Sequence, residues 1–475
     1  MNFRHFLVCA AFSAGAAAAN ELPDLGDASQ STLSAAQERA LGESIMRQIR
    51  SSPAYLDDAE VADYLNGIGQ SLVANSPDPG GHFEFFAVAD GSINAFALPG
   101  GFIGVHTGLV LGAQSESELA SVLGHEIAHV TQKHIARMLA AQQRSGLASM
   151  AALAVAILAA RSNAQLSQAA IATAQAAAIQ TQLNYSRDHE READRIGLQI
   201  VQASGFDAHA MPRFLERLQR SSRLYEGGAP SYLRTHPLTF ERIADVQNRT
   251  QAIPFRQVPD GLEFHLIRAR LTVLQSNPRE AAESFRAQLR ERKFANEAAA
   301  RYGLVFALLQ AGNGATATAE LQRLEALAGT DALIMGLIAQ AHIKRGAADQ
   351  GLETYRRALV AGPARRALAY GYGAALIELG RAQQAVDFLA RQVEKNPADP
   401  QLYELQARAY AQLGKKLLRH RAQAEAYALR GNLAAAIEQL HIARSAGDGD
   451  FYQQSSVEAR LKELKELDAE ARRRD

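Results

Sequence analysis

His125-Glu126-Ile127-Ala128-His129 carries the sharpest chemical signal in this chain of 475 residues. On a helix, residues four apart share a face, so both imidazoles can bind one metal ion while Glu126 lies beside its open position. Zinc suits neutral imidazole and keeps a fourth position open for water. The flanking Leu119, Val122, Leu123, Ile127 and Val130 make the helix largely apolar. Polar groups half-buried there cost free energy unless they are coordinated or paired. A histidine ten positions after His125 would supply a third ligand in one class of zinc protease, but position 135 is Ile and position 132 is Gln. His134 is one residue short and, on a continuing helix, points about 100° away. The third ligand must therefore come from elsewhere. In the acidic run 186–197, Glu190 and Asp194 stand at i, i+4, so one can bind the metal while the other holds a ligating imidazole. His189 and Glu192 face other directions and read as solvated surface.

These groups need elements to position them. Helical spacing of Leu41, Ile45 and Ile49, then of Tyr64, Ile68 and Leu72, covers residues 33–73. The period then changes: 82–90, 93–98 and 101–106 are short β-rich runs broken by Asp90-Gly91 and Pro99-Gly100-Gly101, which read as a small meander. Ser115 with Glu118 three residues later offers a capping box for the helix that carries His125. From about residue 260 glycine acts as a ruler, because Gly312, Gly346, Gly380 and Gly414 stand 34 residues apart, the tetratricopeptide period. Tyr355, Ala358 and Pro363 follow Gly346, and Ala385 and Pro397 follow Gly380. Small residues let paired helices approach, and glycine permits the turn between them. Asn277-Pro278 with Ala282 opens a degenerate first repeat, residues 417–430 read as one long helix, and Gly431 with Ala436 and Ala443 restarts the series out of phase.

Charge narrows the function. Lys+Arg 50 against Asp+Glu 50 leaves no basic excess for nucleic acid and no acidic tail. The length and a hydrophobic content of 47% fit two or more domains. Residues 1–19 have a charged start, an apolar middle and Ala17-x-Ala19 before Asn20, which describes a cleaved secretory signal. The single cysteine, Cys9, lies inside it, so neither a disulfide nor a thiol nucleophile is expected in the mature chain, as suits a bacterial periplasm. Between 145 and 186 the only charged residue is Arg161, and the apolar stretch 147–160 is too short to span a bilayer. A packed helix is expected there, with a lid or a peripheral membrane contact as the alternative. The expected fold is α+β and mostly α: signal 1–19, a metalloprotease domain with a small β-meander over 20–259, and an α-solenoid of tetratricopeptide repeats over 260–475.

His125-Glu126-x-x-His129 followed by Glu190-x-Glu192-Ala193-Asp194 resembles the HtpX and CAAX-prenyl-protease family of gluzincin metallopeptidases. Asn94-Ala-Phe-Ala-Leu-Pro-Gly-Gly101 is similar to the segment lining that family's substrate cleft. With an export signal and a repeat tail, the chain most resembles the family's periplasmic branch. The resemblance implies that His125, His129 and Glu190 hold one zinc ion per chain, that Glu126 is the general base, and that Asp194 supports a ligand or donates a proton. Thr235-His236-Pro237 with Glu241-Arg242-Ile243 is similar to the family's later histidine segment. His236 is there either a fourth ligand that displaces the catalytic water and keeps the enzyme latent, or a donor to the oxyanion; Arg242 can pair with an acidic neighbour. Glu126 then takes a proton from a water activated by the ion, and substrate backbone adds to an edge strand near residues 94–96. The implied partners are misfolded or stalled outer-membrane proteins and the β-barrel assembly machinery, reached through the repeats. The alternative is a latent scaffold or chaperone with a plugged zinc site; Glu126 argues for the enzyme, since a purely structural site needs no base.

Overall fold

The structure is a computed structural model that describes residues 33–141, 187–224, 231–313, 317–362 and 365–474. The expected signal and the whole of the apolar stretch 145–186 lie outside the described residues. Among the described residues, no helix is long and apolar enough to cross a membrane.

The first half contains α1 (Ala35–Arg50), α2 (Ala59–Val73), β1 (Glu84–Val88), β2 (Ala95–Leu98) and β3 (Phe102–His106). There follow α3 (Thr107–Gly112), α4 (Glu116–Thr131), α5 (His134–Ala141), α6 (Arg187–Ala203), α7 (Ala210–Leu224), α8 (Ser231–Thr235) and α9 (Phe240–Gln251). Alternation sorts the strand side chains onto two faces. Phe86, Val88, Phe96, Leu98 and Phe102 meet Ile45, Met46 and Ile49 of α1. Phe85, Ala87, Ala95, Ala97, Ile103 and Val105 meet apolar residues of α2 and α4. The sheet is thus buried on both sides.

Its order corrects the meander. β3 lies in the middle, parallel to β1 and antiparallel to β2. The link 89–94 is long enough to step over one strand spacing, and it is tied across the end of β3 by Gly108 N–H to Asp90 O at 2.8 Å and His106 N–H to Asn94 O at 3.0 Å. The chain then returns to the centre through Gly100 and Gly101, whose φ angles of 77° and 82° disfavour any other residue. The outer edge of β1 is covered by the segment around Tyr55, which bridges to Val88. Among the described residues no strand pairs with the outer edge of β2.

The second half is a run of helices: α10 (Leu262–Leu274), α11 (Pro278–Glu291), α12 (Glu297–Gln310), α13 (Thr318–Ala328), α14 (Ala332–Lys344) and α15 (Ala348–Ala361). It continues with α16 (Arg366–Glu378), α17 (Ala382–Lys395), α18 (Pro400–Gln412), α19 (Lys416–Leu429), α20 (Leu433–Arg444) and α21 (Phe451–Arg474). Gly312, Gly346, Gly380 and Gly414 all have positive φ. Each closes its helix with two reversed bonds, as where Gly346 N–H meets Ile343 O and Ala347 N–H meets His342 O. Gly431 closes α19 in the same way, so the half-period offset places a left-handed glycine stop where the C-caps of α13 and α15, Gly329 and Gly362, keep negative φ. The crossing alanines Ala358, Ala385, Ala436 and Ala443 are fully buried. At Gly431 the Arg47 side chain of α1 comes so close that an added Cβ would lie 1.9 Å from its Cδ.

The repeats dock on α2. Asp58 caps α2 through Val61 N–H and takes Arg270 of α10 in a two-pronged pair, with contacts of 2.8–3.0 Å. Arg366 reaches Asp63 at 2.9 Å, and Arg268 donates to the carbonyls of Leu111 and Ala113. One buried apolar cluster runs through this seam, from Val61 and Leu65 to Phe264, Ile267 and Tyr302.

Glu60 sits in the seam with a poor partner, Arg365 Nη1 at 3.7 Å. Burial pushes its carboxyl up to about 7 against the pull of Arg270 and Arg365, while Asp63 and Asp58 add repulsion. Unfolded, the same group releases its proton near 4.5, so the native state binds more protons between those two values and stability falls as pH rises through them. Glu60→Gln is expected to remove that fall, stabilising the protein at pH 8 by on the order of 1–3 kcal/mol with little change at pH 4. Superimposable pH profiles of the urea midpoint for the two proteins would contradict this.

Candidate metal centre

α4 begins at Ser115, whose hydroxyl accepts from Glu118 N–H at 3.2 Å. The Glu118 carboxylate turns instead to Gln114 N–H and Arg217, so only half of the expected capping box forms. From Ser117 to His129 the helix is buried, more completely than its apolar flanks alone predict. α6 crosses it at Gly124 and Gly197, where a Cβ on Gly197 would meet His125 N at 2.9 Å and Gly124 C at 3.1 Å. That close crossing places Glu190, two turns before Gly197, against the imidazoles of α4.

His125, His129, Glu190 and His236 each offer a ligand atom, and these atoms lie within 4.8 Å of one another. His129 Nε2 is 3.0 Å from His125 Nε2, Glu190 Oε1 is 3.4 Å from His129 Nε2, and Glu190 Oε2 is 3.5 Å from His125 Nε2. His236 Nδ1 is 3.1 Å from Glu190 Oε1 and 3.4 Å from His125 Nε2. Ligands about 2.0–2.1 Å from a tetrahedral ion are roughly 3.3–3.4 Å apart, so the spacing and the N/O donor set fit zinc. Electrostatics agree. Burial opposes a charge on His125, yet its hydrogen bonds to Asp194 and Glu190 hold it up at about 10, whereas burial drives His129 well below its usual range. The buried carboxylates Glu190 and Asp194 thus favour positive charge at His125.

Glu126 is fully buried beside the four, and neither carboxylate oxygen takes a good hydrogen bond. Burial raises its pKa, while His236, with Nε2 3.3 Å from Oε1, pulls the other way. The backbone N–H of Ala97 on β2 also favours the charged form, which sets Glu126 next to the edge strand.

Behind the ligands lies a second layer. Asp194 Oδ1 meets His125 Nδ1 at 3.0 Å and receives a two-pronged pair from Arg242 at 2.7 and 2.8 Å. Burial alone would raise both Asp194 and Glu190; Arg242 leads in holding the first down, and His236 with Arg242 holds the second well below the carboxylate range. Arg242 Nη1 also reaches Glu190 Oε2 at 2.7 Å and donates to Pro237 O at 2.8 Å, so one buried guanidinium ties α9, α6 and the His236 segment together. The His236 ring stacks on Tyr232 of α8 with centroids 4.6 Å apart, and Tyr232 N–H is anchored on Ile93 O just before β2.

His134 departs from the expectation of a residue pointing away. α4 stops at Thr131, and Lys133 takes a left-handed φ of 52°, which swings His134 back so that its Nδ1 lies 2.8 Å from His129 Nδ1. Glu192 is not simply solvated: it meets His134 Nε2 at 3.1 Å and Arg137 at 2.9 Å, and His189 stacks on His134 at 4.4 Å. Burial lowers His134 to about 4, so it is neutral at pH 7. The sequence carried a signal for this layer only in the unusual density of His and Glu around the motif, which helical spacing alone does not resolve.

The profile of peptidase family M48 matches residues 59–250, and a tetratricopeptide repeat profile matches residues 342–409. The beta-barrel assembly-enhancing protease of Escherichia coli K12 is 34% identical over 452 residues, covering 94% of this chain and 92% of that protein. Its namesake in Yersinia pestis is 32% identical over 95% of this chain and 93% of its own length. A putative beta-barrel assembly-enhancing protease of Vibrio cholerae is 44% identical over 53% of this chain and 52% of its own length.

Proposed function

Since this chain belongs to peptidase family M48, with tetratricopeptide repeats after the peptidase segment, we propose that it is a periplasmic zinc endopeptidase in the assembly and quality control of outer-membrane β-barrel proteins. The observation that carries the reading is the buried His125, His129, Glu190 and His236 cluster with the carboxyl of Glu126 alongside. The names of the full-length relatives support the substrate class. In this reading the catalytic unit spans 20–259 and the repeat unit 260–475, the latter bringing outer-membrane proteins and their assembly machinery to the site.

Each side chain then has a task. His125, His129 and Glu190 would hold the ion, which when bound acidifies water and polarises a carbonyl. Glu126 takes a proton from the attacking water and returns it to the leaving amine. Asp194, engaged by both Arg242 and His125, keeps His125 oriented rather than donating a proton itself. The edge of β2 that no described strand pairs with, bordered by Glu126 through Ala97, receives the substrate backbone as an added strand. His236, within ligand distance of the cluster, is the fourth ligand of a latent state. That contact favours a second reading in which the resting protein acts chiefly as a scaffold and is released by a partner.

Two measurements test this. Purified protein should contain about one zinc per chain and cleave an unfolded outer-membrane β-barrel protein, with activity lost on chelation and regained with added zinc. Undiminished cleavage after complete metal removal would refute the reading. His236→Ala should raise cleavage several-fold if the ring blocks the water site; reduced cleavage at unchanged zinc would assign it instead to the oxyanion.

A further inference from the structure

We propose that His134, which is not itself a ligand, is a positioning residue that fixes the tautomer of His129 through a relay running from Glu192 to the metal site. The inference rests on the metal reading above and adds a requirement to it. His134 is fully buried, its Nε2 lies 3.1 Å from the Glu192 carboxylate, and its Nδ1 lies 2.8 Å from His129 Nδ1. A carboxylate only accepts, so a neutral His134 carries its single proton on Nε2 and presents a lone pair on Nδ1. That lone pair can accept only if His129 carries its own proton on Nδ1. His129 Nε2, the atom 3.0 Å from His125 Nε2 and 3.4 Å from Glu190 Oε1, is then deprotonated and presents its lone pair to a cation. Arg137, 2.9 Å from Glu192, fixes the far end of the relay. His125 reaches the same state by a different route, with Nδ1 on Asp194 at 3.0 Å. The two helix ligands are therefore oriented by chemically different partners, a carboxylate for one and a neutral imidazole for the other.

The test compares His134→Met, which fills the space without an acceptor, with His134→Asn, whose amide oxygen falls near the place of Nδ1. Zinc affinity of the full chain is read by chelator competition, and the visible spectrum of the cobalt-loaded protein reports the ligand field. His134→Met should bind zinc about 10- to 100-fold more weakly with an altered cobalt band, and His134→Asn should recover most of the loss. Glu192→Leu, at a half-exposed position, should weaken binding a few-fold and serves if His134→Met does not fold. Wild-type affinity and spectrum in His134→Met, or equal losses in His134→Met and His134→Asn with matched unfolding temperatures in chelator, would overturn the relay. His129→Ala separates the two ideas. If it binds zinc as wild type does, the metal reading itself fails; if it loses zinc while His134→Met and Glu192→Leu keep it, only the relay fails.

Discussion

Glu126→Gln is expected to lower peptide cleavage by about 10³-fold or more while leaving zinc content and unfolding temperature unchanged. The variant keeps shape and polarity and removes only the capacity to take a proton. Nothing in the packing opposes it, because the Glu126 carboxyl is buried without a good hydrogen bond and burial already disfavours its charge. The atoms that could hold a metal belong to His125, His129, Glu190 and His236 and are untouched. The measurement is turnover of an unfolded outer-membrane substrate beside metal analysis of the same preparation. Cleavage at the wild-type rate would remove Glu126 from the chemistry, whatever the metal content.

Arg242→Met carries the largest expected cost in stability, about 3–5 kcal/mol. Arg242 is 1% exposed and holds two carboxylates, Glu190 and Asp194, that are equally buried. Removing it leaves those negative charges facing each other in a dry interior and frees Pro237 O, which anchors the His236 segment. Lysine is no substitute, since a single ammonium cannot reproduce the paired bonds to Asp194. The loss should appear as a lower urea midpoint together with weaker zinc retention. Asp194→Asn on the Arg242→Met background should recover part of the stability, because it deletes one of the stranded charges. A change below about 1 kcal/mol in Arg242→Met would mean that the guanidinium contributes little to the centre.

What could be read in the sequence was local. The His125, Glu126 and His129 spacing needs only one helix, and the 34-residue glycine ruler needs only the left-handed stops that the structure shows at Gly312, Gly346, Gly380 and Gly414. The mostly helical class with a small sheet was legible for the same reason. Strand order was not, because placing β3 between β1 and β2 depends on the link 89–94 being tied over the sheet end by Asp90 and Asn94, contacts no pattern announces. His134 is not legible from helical spacing because α4 ends at Thr131 and one left-handed residue, Lys133, turns the chain before the next helix. The embrace of Asp194 by Arg242 joins residues 48 apart, and sequence offered Arg242 no more than an unspecified acidic neighbour. The seam on α2 is distant in the same sense: Asp58 and Arg270 are 212 positions apart.

The contact between Gly431 and Arg47 adds a further point at which the repeats rest on the peptidase segment. Arg270 and Arg366 tie the solenoid to α2, and the α19–α20 corner meets Arg47 of α1. On the proposed function, a polypeptide bound by the repeats would be held at a set span from the metal cluster. Slack in such a client would then decide which bond is cut, because only a loop long enough to bridge that span would reach the cluster.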